Sequence, residues 1–362
     1  MREFWEILER IRRVVTEGQR AALATVISTS GSTYRRPGAR MLLTSEEAVG
    51  AVSAGCLEEE VRAVGLRVLE QGRPERLRFD TTEEMDKISG TGLGCRGTID
   101  VFVEPLSPET AQPYRTLHQA LEEDRVCILG IEVPTGRRLL LVGEEVAVDE
   151  LREPSFIRQA VPAAREQLSS RQPTALLRSV GREFYWERVE PPLQLIVFGA
   201  GYDAQPLVRL AKELGFRVTV VDPRPAYLAK ERFPEADRLV LAHPQDVPAQ
   251  IRVDGRTFLV ILTHNYLHDL ELLRWALGTE ASYVGQIGPR ERTQELLADI
   301  EREEGPLSPE ARAKLYGPVG LDVGAETPEE IALSILAEIL AVRYGRPGGA
   351  LRDRSGPIHA GE

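Results

Sequence analysis

Residues 193–222, LQLIVFGAGYDAQPLVRLAKELGFRVTVVD, constrain the fold more than any other stretch of the chain. LQLIVF is a short run of branched and apolar residues, the pattern of a strand buried on both faces. It leads directly into Gly199, Gly201 and Ala204, spaced G-x-G-x-x-A. Leu207, Leu210, Ala211 and Leu214 then recur at helical spacing, and Gly215 marks the stop. FRVTVVD reads as a second buried strand ending in Asp222. Strand, glycine turn, helix, strand and acid in this order form a dinucleotide-binding β-α-β unit.

Each residue type has a physical task in such a unit. Gly199 permits the tight turn, Gly201 lets the backbone approach a pyrophosphate, and Ala204 keeps the helix close to the sheet. The helix N-terminus presents free N–H groups to an anion. Asp222, 18 residues beyond Ala204, stands where a carboxylate can accept from a ribose 2′-hydroxyl. The competing reading is a β-α-β unit whose glycines only shape the turn, since a fold does not by itself imply a ligand.

The alternation continues beyond Asp222. DRLVLA, TFLVILTH and SYVGQIG read as further buried strands, with helices over about 269–277 and 290–302. The last helix has Thr327 as N-cap, Pro328 as its first residue and Glu330 as capping-box partner. The sequence thus predicts an α/β protein: an N-terminal α+β module over 1–190, a Rossmann-like doubly wound parallel sheet over 191–345 and a polar tail over 346–362.

Within the first module, residues 3–17 are amphipathic and end at Gly18. AALATVIS (21–28) is a strand, ARMLLT and AVGAVSAG pair as a hairpin, and a helix runs over about 56–71. RLRFD and TIDVFVEP add strands around the glycine-rich stretch 81–97, completing a core of about 1–105. The connecting segment offers a helix near 110–123, strands VCILGIEV and RRLLLVG, and a helix near 155–168. FYWERVEPP then leads into the second domain, with Pro191 and Pro192 as linker.

Bulk properties exclude several function classes. A formal net charge of −11 argues against nonspecific nucleic-acid binding, which needs a basic surface. No apolar run approaches a membrane span, and MREFWEILERIRR is unlike a signal peptide, so a cytoplasmic location with no membrane partner is expected. Three cysteines without C-x-x-C spacing give neither a disulfide framework nor a metal site.

Candidate chemistry clusters in five places outside the fingerprint. Thr263 and His264 stand at the carboxyl end of a buried strand, where open α/β sheets bind ligands. His264 there suits an acid, a base or a ligand donor, against the commoner role of a hydrogen-bonded structural histidine. Gly285 and Gly288 flank a strand end followed by Arg290 and Arg292, a phosphate grip or an ordinary turn with solvated arginines. The loop 28–38 carries Ser28, Thr29, Ser30, Ser32 and Thr33 with Arg35 and Arg36, which suits an anion, though hydroxyl-rich loops are commonly just turns. Cys56 opens a helix, whose dipole favours a thiolate, while Glu58, Glu59 and Glu60 oppose it. Cys95 lies in the glycine-rich GTGLGCRG, and Cys127 in an apolar strand reads as inert packing.

These residues carry a resemblance. SxSGSTxxRPGARM, SAGCLEEE and LGCRGTIDVFVEP are similar to the N-terminal module of the XdhC/CoxI family, the xanthine dehydrogenase accessory proteins. FGAGYDAQPLVRLAKELGFRVTVVDPR, LTHN, YVGQIGPRER and PVGLDVGAETPEEIALSILAEI resemble its C-terminal Rossmann module. The match spans nearly the whole chain and is weakest over 106–190. One departure concerns the fingerprint, where Tyr202 and Asp203 stand in place of the histidine common in the family. It removes an imidazole and sets a carboxylate beside the phosphate site.

The resemblance implies a chaperone that binds molybdenum cofactor, as molybdopterin or its dinucleotide form. Such a protein helps mature the cofactor and insert it into a xanthine dehydrogenase/CO dehydrogenase-type molybdenum hydroxylase. It further implies a homodimer, with a cysteine desulfurase as an additional partner to consider and with no catalytic residue required beyond the candidate thiols Cys56 and Cys95 and His264. Two other classes share the fingerprint: an NAD(P)-dependent oxidoreductase, and a nucleotide-binding regulatory protein. Thiols in glycine-rich loops and the absence of a Ser-Tyr-x-x-x-Lys constellation favour the chaperone.

Overall fold

A computed structural model describes residues 2–31, 33–80, 97–169, 172–179 and 181–355. The chain divides into two compact units, 1–191 and 192–362.

The first unit opens with α1 (Arg2–Thr16), β1 (Ala21–Gly31), β2 (Arg40–Leu43), β3 (Ala48–Gly50), α2 (Glu58–Gln71), β4 (Glu75–Asp80) and β5 (Gly97–Leu106). The strands form an antiparallel sheet in the order β3-β2-β1-β5-β4. Then follow α3 (Gln112–Glu122), β6 (Cys127–Val133), β7 (Arg138–Val142), β8 (Glu145–Asp149), α4 (Pro154–Gln167), β9 (Thr174–Ser179) and β10 (Arg182–Val189). These strands make a second antiparallel sheet, β8-β7-β6-β10-β9.

Three apolar layers result from the two-residue period of the strands. Ile7, Leu23, Phe102, Leu117, Leu129 and Tyr185 belong to a central core shared by α1, α3 and one face of each sheet. The opposite face of the first sheet packs on α2 through Val61, Val64 and Val68. That of the second packs on α4 through Phe156, Ala160 and Ala164. The segment that the sequence reads as two strands and two helices is therefore a complete sheet. β8 is mostly exposed and β9 only partly buried, and they write no clear apolar signal. FYWERV, in sequence a lead-in to the second domain, lies in a buried strand paired on both sides.

Two buried ion pairs bridge the sheets. Arg40 of β2 meets Glu187 of β10 with Nη1 3.1 Å from Oε1, beneath the Phe4 ring. Arg138 of β7 donates from Nε to Glu104 of β5 at 2.8 Å, and Tyr114 Oη donates to the same carboxylate. Side chains of Arg138 and Glu104 are 4% and 1% exposed, so neither charge has water to fall back on. At the turn after β6, Glu132 accepts from Arg182, Thr135 and Arg137.

The second unit runs β11 (Gln194–Phe198), α5 (Ala204–Glu213), β12 (Arg217–Asp222), β13 (Arg238–Leu241), α6 (Val247–Gln250), β14 (Thr257–Ile261), α7 (Tyr266–Leu277), β15 (Tyr283–Gln286), α8 (Arg290–Glu304), α9 (Pro309–Ala313), β16 (Leu315–Tyr316) and α10 (Pro328–Arg343). Its strands are all parallel, in the order β13-β12-β11-β14-β15-β16. Counted from the first strand of this unit, that is 3-2-1-4-5-6, the doubly wound dinucleotide-binding order. Leu195, Val197, Val218 and Val220 face α5 and α10. Their neighbours Ile196, Phe198, Val221 and Ile261 face α7 and α8. Burial on both faces explains the unbroken apolar runs in the sequence. The expected capping box of α10 is present, Thr327 Oγ1 accepting from Glu330 N and Glu330 from Thr327 N.

Two stability outcomes follow for the first unit. Arg138→Met strands Glu104 in an apolar surrounding and should cost about 3–5 kcal/mol, read by chemical denaturation; Arg138→Met with Glu104→Gln should recover part of that loss. Burial would raise the Glu132 carboxyl, but hydrogen bonds from Arg182, Thr135 and Arg137 outweigh it and bring it to about 2, from 4.5. A folded-state value below the unfolded one contributes stability above pH 4.5 that is lost as the pH falls towards 2. The stability difference between wild type and Glu132→Gln should therefore shrink by about 3 kcal/mol across that window, as acid-titrated unfolding curves would record.

Candidate functional site

The carboxyl ends of β11, β12 and β14 bring most of the expected residues of the second unit to one edge of the sheet. Gly199 ends β11 with φ +109, and an added Cβ would lie 2.4 Å from the Leu262 carbonyl oxygen. Only glycine fits there, because the backbones after β11 and β14 are nearly in contact. Gly201 differs: its φ is ordinary, and a Cβ would meet the Asp203 carboxylate alone, at 2.5 Å. Its missing side chain leaves the space that the Asp203 carboxylate takes over the turn. Ala204 is fully buried at the start of α5, where Asp203 makes no side-chain capping bond. The first amides of that helix are thus not closed off by its own cap.

Asp222 is 1% exposed and fully engaged with the chain. Oδ1 accepts from Arg224 N at 2.8 Å and Arg224 Nε at 2.9 Å. Oδ2 accepts from Ala200 N at 2.7 Å and Arg224 Nη2 at 2.8 Å. Burial alone would raise its pKa, but these bonds outweigh that and hold it below the ordinary aspartate value. The carboxylate ties the glycine turn to Arg224, a residue the motif reading does not single out. The Arg224 guanidinium lies 3.8 Å over the Tyr227 ring, and Arg232 flanks the same ring at 5.1 Å. Arg232 Nη2 donates to Ala200 O at 3.2 Å. An arginine two residues past the strand-ending acid was the available signal for this grouping.

After β14, Thr263 Oγ1 donates to Asp269, a fully buried carboxylate that also accepts from Gln286 at 3.2 Å and Arg292 Nη2 at 2.6 Å. Arg292 is therefore engaged in holding the strand ends together. Arg290 is exposed at the start of α8. His264 has a left-handed backbone, φ +56, and its exposed ring lies with Nε2 2.7 Å from Asp203 Oδ2. The pair couples the β14 loop to the fingerprint and sets an imidazole against the carboxylate that the sequence puts beside the phosphate position. Asn265 caps α7, accepting from Leu267 N and His268 N. The space at Gly285 is filled rather than open, since a Cβ would lie 2.6 Å from Val319 and 2.9 Å from Tyr283. Gly288 has φ +118 and packs under Arg292.

Between these loops lies a cleft of about 120 Å³. Val221, Pro223, Ala242, Pro244, Val247 and Leu272 give it apolar walls, and Asp222, Arg224, Thr263, Asn265 and His268 its polar rim. The cleft is smaller than the enclosed cavity of about 150 Å³ that holds benzene, so it covers only part of a flat ring. Its position, outside strand ends at the reversal of strand order, is where such sheets bind ligands.

The first unit carries the remaining candidates. β1 runs to Gly31, further than expected, so Ser28, Thr29 and Ser30 stand in the ladder opposite Asp100, Ile99 and Thr98 rather than in a free loop. Arg35 pairs with Glu3 of α1, and Arg36 is exposed. α2 starts at Glu58, two residues after Cys56, because Ser53 organises the turn. Ser53 Oγ accepts from the amides of Gly55, Cys56 and Leu57, each at 3.1 Å, and donates to Glu58. Cys56 is exposed with Sγ 3.4 Å from Ser53 Oγ, and the amides that would otherwise face its sulfur are already bonded. Cys127 is buried and its thiol is pushed up to about 12 by desolvation, as suits packing. Cys95 lies outside the described residues. Among the described residues, Glu9, His118 and Glu122 form one group of metal-ligand type. Glu9 lies 2.8 Å from Nε2 and Glu122 3.6 Å from Nδ1, on opposite edges of the ring, which is the arrangement of a bridged histidine rather than of three ligands around one ion.

Comparison with known proteins agrees with this architecture. The family model of the XdhC Rossmann domain matches residues 195–339, and that of the XdhC and CoxI family matches residues 14–80. The chain is 31% identical over 333 residues to a probable xanthine dehydrogenase subunit of Bacillus subtilis (strain 168), covering 91% of this chain and 95% of that protein. It is 24% identical over 338 residues to the molybdenum cofactor insertion chaperone PaoD of Escherichia coli (strain K12), covering 93% of this chain and 88% of PaoD. A crystal structure of a xanthine dehydrogenase from Bacillus halodurans superposes with a TM-score of 0.80 at 29% identity, over 96% of this chain and 98% of that one. Among the described residues no helix is long and apolar enough to cross a membrane. With a relative matched along almost its entire length and both family models falling on the units that carry the motifs, the chain belongs to the XdhC and CoxI family of xanthine dehydrogenase accessory proteins.

Proposed function

We propose that this protein binds molybdenum cofactor and delivers it to a molybdenum hydroxylase of the xanthine dehydrogenase type. The observation that carries this reading is the cradle at Gly201, a close glycine turn set at the uncapped N-terminus of α5. It stands in a chain matched along 93% of its length to a cofactor insertion chaperone. The cofactor ends in a phosphate or, in its dinucleotide form, contains a pyrophosphate, and the donor set suits either. Backbone N–H groups from Gly201 to Ala204 hold the phosphate oxygens, and the helix dipole favours their charge. His264, hydrogen-bonded to Asp203, keeps that carboxylate turned to the imidazole. Thr263, Asn265 and His268 offer polar contacts along the cleft.

The bound cofactor supplies the oxygen-transfer chemistry of the recipient enzyme, and this chain's residues bind and orient it. No general base or nucleophile is needed for that task. Exposed Cys56 is a soft donor of the kind a molybdenum or sulfur ligand uses, which supports a handling role for the first unit.

Gly201→Val tests the cradle. A Cβ meets only a side-chain carboxylate, which can rotate away at the cost of its bond to His264, so the variant should still fold, with at most a small drop in thermal midpoint. It should bind purified molybdenum cofactor at least tenfold more weakly than wild type, read by titration and by the fluorescent pterin released on denaturation. A Gly201→Val protein that binds like wild type would sink the assignment of the phosphate site.

A further inference from the structure

The acid that ends β12 has no capacity left for a ribose. An ionised carboxylate offers about four lone-pair sites, and those of Asp222 take Arg224 N, Nε and Nη2 together with Ala200 N. Accepting two ribose hydroxyls there would break bonds that a 1% exposed carboxylate cannot replace with water. What faces the ligand is the partner of the acid. The Arg224 side chain is 49% exposed at the rim of the apolar cleft, fixed by a bidentate pair on one edge and by the Tyr227 ring on its face. Its Nη1 takes no part in the Asp222 pair and is left for another acceptor. Arg232, 5.1 Å from the same ring, is held to the glycine turn through Ala200 O, and its buried Nε has no hydrogen-bond partner.

Two guanidinium groups around one ring, against a single carboxylate, leave the ribose edge of the crevice with excess positive charge. Held arginines of this kind recognise phosphate oxygens, and the ribose 2′ position is the part of a nucleotide that lies beyond the second strand of such a sheet.

We infer that the crevice of the second unit takes a nucleotide whose ribose carries a 2′-phosphate. Arg224 and Arg232 bind that phosphate, the apolar cleft covers part of the base, and Asp222 is a positioning residue that aims Arg224. This rests on the reading of the glycine turn as a phosphate site and adds a ligand distinct from molybdenum cofactor, whose dinucleotide form carries a plain ribose, so the two would compete for the turn. A plain ribose is the ligand the acid would have served had it been free.

Calorimetric titration of the full-length protein with adenosine 2′,5′-bisphosphate and with 5′-AMP tests the inference. The wild type should bind the bisphosphate at least tenfold more tightly. Arg224→Gln should abolish that preference, bringing the two affinities together. Asp222→Asn should lower the ratio of the two affinities, which a merely structural role would not move. Equal binding of the two nucleotides by the wild type, or an unchanged ratio in Arg224→Gln, overturns the inference and leaves the phosphate site standing. Binding of purified molybdenum cofactor without binding of either nucleotide overturns the inference alone. Failure to bind nucleotides and cofactor alike overturns the phosphate site as well.

Discussion

The contact between Gly199 and the Leu262 carbonyl is the constraint on which the second unit depends. Strands β11 and β14 lie side by side in register, and the chain leaves them in different directions. For the two exits to separate, the backbones must first pass at a distance that excludes a Cβ. The candidate ligand groups lie just beyond that crossing: the turn at Gly201, the loop at Thr263 and His264, and the apolar cleft. Asp222 secures the same turn from the other side through Ala200 N, and Asp269 secures the β14 loop through Thr263. The rim of the crevice is thus built from short connections, each tied by a buried carboxylate. Fixing donors in advance in this way lowers the ordering cost that a ligand must overcome.

The second unit was legible in the sequence because its physical requirements act locally. Strands buried on both faces write unbroken apolar runs, and a turn with φ +109 admits little but glycine. Thr327 and Glu330 make a cap within a single turn of helix. What escaped was the state of the acid. The position of Asp222 follows from the motif, but its saturation by Arg224 depends on how the chain bends at Pro223 and on the placement of Tyr227. The engagement of Arg292 and the packing at Gly285 escaped for the same reason. Arg292 is engaged by Asp269 in another helix, and Gly285 is packed by Val319 from a distant loop.

The first unit was less legible because its order is written in pairs far apart in sequence. Arg40 and Glu187 are separated by 147 residues, and each alone reads as a solvated charge. β8 is mostly exposed and β9 only partly buried along its whole length, so neither alternation nor an apolar run announces them. The turn at Cys56 shows a subtler limit. A cysteine next to a helix start suggests a thiol facing free amides, yet a serine three residues earlier takes those amides for itself.

The two bridging ion pairs bear on how the first unit comes apart. Arg40 and Arg138 stand in different sheets, and so do their partners Glu187 and Glu104. Peeling away either sheet alone would leave one guanidinium and one carboxylate in the remaining half, each cut off from its cross-sheet partner, with Arg138 keeping only the partly exposed Glu150, 3.4 Å from Nη1. Such a half-open form is disfavoured by several kcal/mol per stranded ion. The inner faces of both sheets also share a single apolar layer with α1 and α3, so neither sheet keeps a closed core without the other. Crossed charges and a common core make the two sheets one cooperative block, and local opening is left to the partly exposed edge strands β3, β4, β8 and β9.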